Sequence, residues 1–269
     1  MPVCNIADSD SQFYLVPNNG WAIAKPYPRS GANDMVDSLL VVYTAESTHK
    51  RVYYSKSTDM GRSWQYDAYS CLSGDSFNEL NGYDDSACDA TIGCLGDTIA
   101  VAFYDQLAEW NHPDNIAYTH AVAGGNWIPL EDMDYLPYQV ACRHPSLAVM
   151  RRSDAPQAWS CGATVVYSDF HDNEDDWVPF KNLVEIKPNM NKRLAVQFGA
   201  DHDSVDYLSS AWDGNSTLAP MFYTAFQEST DGSCEIWVVR SQCPQGEHQF
   251  VCLTQGTPAS GERPCIQCP

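Results

Sequence analysis

The chain has 269 residues, 44% hydrophobic and 19% charged, which excludes a disordered chain and suits one core-forming domain over residues 1–269. Fifteen Lys and Arg against 35 Asp and Glu give a formal charge of −20. Such a surface repels phosphate backbones and anionic lipid, so nucleic-acid and membrane partners are disfavoured. No apolar run approaches membrane-spanning length, and no low-complexity tract or linker divides the chain.

Taken in order, the chain opens on Met1-Pro2-Val3-Cys4-Asn5, with neither the basic start nor the apolar stretch of a secretory signal. Helical periodicity is nearly absent thereafter. Short runs of β-branched and aromatic residues recur instead, separated by Gly, Asn, Asp and Pro. They are Leu39–Thr44, Ile99–Asp105, Ala163–Asp169, Leu194–Phe198 and Pro220–Phe226. A second strand follows most of them, at Arg51–Ser57, Asn115–Ala121, Val205–Ser210 and Glu235–Ser241. Near-continuous apolar runs are what sheets buried on both faces require, so the fold class is all-β with repeated antiparallel sheets. A β-sandwich also gives many short strands. At about 40–50 residues per unit, a propeller of this length has about five or six four-stranded blades.

Eleven scattered cysteines, without paired zinc-type knuckles, point to disulfides, an oxidising compartment and a secreted or extracellular protein. The odd count leaves at least one thiol free or paired between chains. The alternative is an intracellular protein with reduced thiols. Asn215-Ser216-Thr217 fits a glycosylation acceptor.

Ser57-Thr58-Asp59-Met60-Gly61-Arg62-Ser63-Trp64 fills every position of the pattern S-x-D-x-G-x-[ST]-W. It resembles the Asp-box of the sialidase-like β-propeller superfamily, and the stretch Trp21–Trp64 resembles an opening blade of that kind. The resemblance implies a single β-propeller with this turn between the third and fourth strands of a blade, on the face away from the site. Thr119–Trp127 keeps little more than Gly125 and Trp127. Sialidases carry an arginine in the first blade that grips a carboxylate. Here that stretch reads Trp21-Ala22-Ile23-Ala24, with Ala22 at the arginine position, which argues against sialidase activity. A related string, Arg143-His144-Pro145-Ser146-Leu147, opens a later repeat, and Arg193 begins another apolar run.

The resemblance further implies that the loops after the second strands meet on one face. Those loops, with their flanks, hold Asp105, Glu109, Trp110, Asp169, His171, Trp177, His202 and Glu228, among others. Carboxylates, imidazoles and aromatic rings converging in this way suit a sugar. Asp105 and Asp169, at the ends of two repeats, are the expected carboxylate pair for glycoside hydrolysis. Arg143, His144, His171, Glu109, Trp110, Trp177, Arg193 and His202 are the expected substrate-binding residues. No metal site or cofactor is expected, beyond structural calcium on loop carboxylates. β-Elimination with His144 as base beside Arg143 is a further route, weakened by the negative charge. A serine hydrolase is not supported, since no G-x-S-x-G elbow occurs. The expected activity is that of a glycoside-hydrolase relative acting on a neutral glycan. The alternatives are a lectin with the same rim, or a scaffold for protein or other small molecules.

Overall fold

The computed structural model describes residues 12–14, 22–26, 38–46, 50–65, 71–73, 86–95, 98–106, 115–122, 127, 131–132, 140–151, 159–169, 182–186, 196–198, 205–213, 221–230, 233–242 and 249–254. Every regular element among them is a strand, and the strands form four antiparallel four-stranded sheets. The first contains β1 (Gln12–Tyr14), β2 (Ile23–Ala24), β3 (Leu39–Glu46) and β4 (Lys50–Ser57). The second contains β5 (Ser86–Leu95), β6 (Thr98–Gln106), β7 (Asn115–Val122) and β8 (Glu131–Asp132). In the third are β9 (Val140–Arg151), β10 (Trp159–Asp169), β11 (Asn182–Ile186) and β12 (Val196–Phe198). The fourth holds β13 (Val205–Asp213), β14 (Met221–Thr230), β15 (Ser233–Gln242) and β16 (Gln249–Cys252).

Sheets two to four are meanders in chain order. In the first, β1 and β2 share one edge of β3, β4 takes the other, and Gln65 and Cys71 bridge onto β4 where a fourth strand belongs. The first strands pack from sheet to sheet, β2 near β5, β5 near β9, and β9 near β13. They are therefore the inner strands, and the sheets follow one another around them as propeller blades do.

The apolar runs are explained by this stacking. Ile99 through Tyr104 of β6 are all buried. Ile99, Val101 and Phe103 join Ala90 and Ile92 against Leu40, Val42, Val52 and Leu72 of the first sheet. On the other face, Gly93 lies against β9, where a Cβ would sit 3.0 Å from Val149 Cγ2 and 3.6 Å from the Leu147 carbonyl. A central strand with a sheet on each side has no polar face, so the period-2 alternation disappears.

The turn after β4 is held by its own side chains. The Ser57 hydroxyl donates to Asp59 Oδ1 at 2.8 Å and accepts the Gly61 N–H at 2.7 Å. Asp59 accepts the Ser63 N–H at 2.8 Å and the Ser63 hydroxyl at 2.6 Å. Gly61, at φ 83°, follows Met60 at φ 60°, a reversal that glycine makes without a Cβ penalty. Lys56 and Gln65 then exchange backbone hydrogen bonds, at 3.0 and 2.7 Å, and close the hairpin. The hydrogen bonds from Ser63, side chain first and backbone next, hold the Asp59 carboxyl at about 2, below its ordinary 3.8.

Two expectations change. Leu194–Phe198 and Val205–Ser210 are not one repeat, because β12 is the outer strand of the third sheet and β13 the inner strand of the fourth. Two short apolar runs flanking a polar segment look alike whether a hairpin or a sheet-to-sheet crossing joins them. The third strand of that sheet, Asn182–Ile186, was not among the expected strands. Cys71, Cys94 and Cys252 are free thiols. Burial raises the Cys94 thiol above its usual range, and its Sγ donates to the Lys25 carbonyl at 3.4 Å.

Gly93→Ala is expected to lower stability by about 1–3 kcal/mol, since the added methyl must displace Val149 between two packed sheets; thermal unfolding measures it. A depressed carboxyl stabilises the fold above its unfolded value and loses that contribution as pH falls through the folded one. The Ser57–Trp64 turn is therefore expected to loosen between about pH 4 and about pH 2, and Ser63→Ala to move the Asp59 midpoint up toward 3.8, read from its carboxyl 13C shift.

Candidate functional site

The four inner edges share one irregularity. In the second sheet Cys88 pairs Tyr104 and Thr91 pairs Ala102, so three steps along β5 match two along β6. In the third, Arg143 pairs Val166 and Ser146 pairs Thr164. In the fourth, Asp206 pairs Gln227 and Ser209 pairs Ala225. Each inner strand thus carries one extra residue at the same register, a β-bulge. In the first sheet Tyr14 pairs Thr44, and Val42 next donates to the Ala22 carbonyl at 2.9 Å. The inner edge of that sheet passes from β1 to β2 at the place where the others bulge.

Hydrogen bonds between sheets hold these bulges level. The hydroxyl of Ser146 accepts the N–H of Ser210 at 2.8 Å, and that of Thr91 accepts the N–H of Leu147 at 3.5 Å. Thr91, Ser146 and Ser209 are equivalent in register, so each bond runs from one sheet to the residue after its equivalent in the next. Thr91 and Ser146 are fully buried. Below the bulges, Ala90, Pro145 and Leu208 are buried as well.

Strand direction divides the molecule into two ends. The Ser57–Trp64 turn lies at one end, with the link from Leu95 to Thr98. The other end carries the exits of the second strands β3, β6, β10 and β14, the starts of β9 and β13, and the bulges. Asp105, the next-to-last residue of β6, lies opposite Ala87, and Asp169 ends β10 opposite Val140, in adjacent sheets at this end. Their positions are not equivalent: aligned on the bulge, Asp169 lies two residues further along, about 7 Å at strand rise. The residue that shares Asp105's register is Glu228 of β14, opposite Val205. Arg143 occupies the register position before the bulge in β9, equivalent to Cys88 and Asp206. His144 is the next residue along.

Glu109, Trp110, His171, Trp177 and His202 lie outside the described residues, as does Arg193. The first five fall in segments that leave from and return to strand ends at the Asp105 end. Arg193 falls between β11 and β12, whose adjoining ends, Ile186 and Val196, are at the opposite one. Among the described residues, no group of three or more His, Cys, Asp and Glu is placed to hold a metal ion.

One residue escaped the sequence reading. Asp89, the residue after Cys88 in the second-sheet bulge, is half-buried and has φ 54°, a left-handed conformation uncommon outside glycine. His144 and Tyr207 fill the same place in β9 and β13. The signal was the triple alignment of Cys88-Asp89-Ala90-Thr91, Arg143-His144-Pro145-Ser146 and Asp206-Tyr207-Leu208-Ser209.

No protein-family model matches the chain, and no curated protein matches it. Among solved structures, it is similar to an α-L-arabinofuranosidase of Fusarium graminearum in complex with an iminosugar inhibitor, with a TM-score of 0.52 at 12% identity over 83% of this chain and 64% of that one. An α-L-arabinanase of Penicillium chrysogenum complexed with arabinobiose gives 0.50 at 11%, covering 90% of this chain and 75% of that one. A polysaccharide lyase, an ulvan lyase, gives 0.52 at 12%, covering 86% of this chain and 52% of that one. The chain thus spans less than two thirds of the arabinofuranosidase and about half of the lyase. Together with the four stacked sheets, these likenesses define the class: the chain is a β-propeller.

Ser146→Ala is expected to destabilise the protein by about 1–3 kcal/mol, because it strands the buried Ser210 N–H. Ser146→Thr, which keeps an acceptor, is expected to lose less; denaturant midpoints separate the two.

Proposed function

We propose that this chain is a carbohydrate-active propeller, a glycoside-hydrolase relative that binds a neutral glycan at the bulged end of its sheets. The observation that carries the reading is the arrival of Asp105 and Asp169 at that end on the second strands of adjacent sheets, with Arg143 and His144 near the start of β9, the inner strand of the sheet that carries Asp169. One carboxyl then serves as general acid to the leaving oxygen, and the other as base or nucleophile. Glu109, His171, His202, Trp110 and Trp177 belong to the segments around that end and supply hydroxyl contacts and stacking faces. The charge of −20 favours an uncharged sugar over a uronate or sialic polymer.

The three structural neighbours act on saccharides by name, which supports a carbohydrate ligand without specifying it. We also infer a secreted protein, resting on the eleven cysteines, and its disulfides must lie outside Cys71, Cys94 and Cys252.

The test is a glycan array with a hydrolysis screen over neutral pentose and hexose polymers, on the wild type and on Asp105→Asn and Asp169→Asn. Turnover by the wild type with a loss of about 10²–10⁴-fold in each variant is expected for an acid–base pair. Binding without turnover makes the protein a lectin. Full turnover in both variants removes the carboxylate assignment, and no binding at all removes the carbohydrate reading.

A further inference from the structure

In the second, third and fourth sheets the bulge inserts one extra residue into the inner strand. On β5, Ala87, Ala90, Thr91 and Ile92 are buried, and Asp89 between them is only half-buried. On β9 the residues from Pro145 to Val149 are all buried, and on β13 so are those from Leu208 to Ala211. At Asp89 the extra residue is therefore a point at which the strand's alternation is interrupted, and His144 and Tyr207 occupy the same register position. Its chemistry in the three strands is a carboxylate, an imidazole and a phenol: Asp89, His144 and Tyr207. The Thr91–Leu147 and Ser146–Ser210 hydrogen bonds, two or three residues beyond, bring these three positions to one level on neighbouring strands.

An aspartate held at φ 54° costs conformational energy that glycine would not. Its retention at this place fits a side chain whose contacts outweigh that cost. We propose that Asp89, His144 and Tyr207 form a tier of substrate-positioning residues that grips sugar hydroxyls at the centre of the bulged end. The proposal rests on the carbohydrate reading above and deepens it. All three side chains hydrogen-bond hydroxyls well, and the carboxylate does so most strongly. Among the described residues of the first sheet no bulge residue corresponds.

The experiment has two arms, both on the full chain. In the first, the glycan found by array and hydrolysis screen is titrated against wild type, Asp89→Asn, Asp89→Gly, His144→Gln and Tyr207→Phe. Each variant is expected to raise KM (or Kd, where binding alone is measured) by about tenfold to a hundredfold, with a smaller effect on kcat. Asp89→Gly accepts the left-handed backbone without strain and is expected to be at least as stable as wild type while losing the same affinity. A purely structural aspartate would not give that combination.

The second arm needs no ligand. With 13C-labelled histidine, the resonance of His144, assigned by its loss in His144→Gln, is expected to move in Asp89→Asn and Tyr207→Phe and to stay put in Asp59→Asn at the opposite end. A His144 signal indifferent to both neighbours overturns the tier. Unchanged KM in all four variants, with Asp105→Asn and Asp169→Asn crippled, overturns it too and leaves the carbohydrate reading intact. If the wild type binds no glycan, that reading fails, and the proposed sugar-gripping role fails with it. In that case the histidine arm alone decides whether the three residues meet.

Discussion

The hydrogen bond from the Ser210 N–H to the Ser146 hydroxyl, 2.8 Å long and fully buried, is the contact on which the geometry of the chain turns. Apolar packing between stacked sheets is non-directional and fixes their level less sharply than a directional bond does. A buried N–H that finds its acceptor only at one offset removes that freedom, because leaving it unpaired costs as much as a sizeable packing defect. The same bond, in weaker form, joins Leu147 to Thr91. The first sheet has Ala22 at the register of these hydroxyls and therefore lacks the device. Its level is set by the Leu40, Val42 and Val52 cluster against Ile92 and Val101, and by the Cys94 contact with the Lys25 carbonyl.

With levels fixed, the two ends of the sheets differ in kind. The Ser57–Trp64 turn closes one end with five hydrogen bonds among four residues and places no carboxylate in reserve, since Asp59 is wholly engaged by Ser57 and Ser63. Only two residues separate Leu95 from Thr98 there. At the other end eight residues separate Gln106 from Asn115, and twelve separate Asp169 from Asn182. Long, chemically varied segments on a rigid frame are where binding residues concentrate. The asymmetry separates an end closed by a short, self-bonded turn from an end that carries the longer segments.

Much of the frame was legible in the sequence, for a physical reason. A strand buried on both faces, such as Ile99–Tyr104, must be apolar throughout, and a turn such as Ser57–Trp64 must place Ser, Asp and Gly at fixed offsets. Both constraints act over fewer than ten residues and leave a readable trace. β11 and β12 left less, since they are only five and three residues long. The bulges left none to a period-2 reading, which has no slot for an extra residue. That reading put Asp105 and Asp169 at equivalent strand ends, two residues apart from the true alignment. It also passed over Asp89, whose backbone conformation no residue type announces, and left Glu228 among the rim carboxylates without seeing that it shares Asp105's register.

Why the bulge falls on the inner strand in the second, third and fourth sheets follows from the hydrogen-bond ladders. A bulge in β6 or β10 would break pairing on two sides, whereas β5, β9 and β13 are edge strands with one sheet partner each. The cost of an extra residue is thus halved where it occurs. The freed edge also leaves backbone N–H and carbonyl groups without a ladder partner on the side of the neighbouring inner strands, and such groups need hydrogen-bonding company. Hydroxyl side chains meet part of that need between sheets, as Thr91 and Ser146 do. The inner edge that lets the sheets close on one another is therefore also where hydroxyl side chains tie them together.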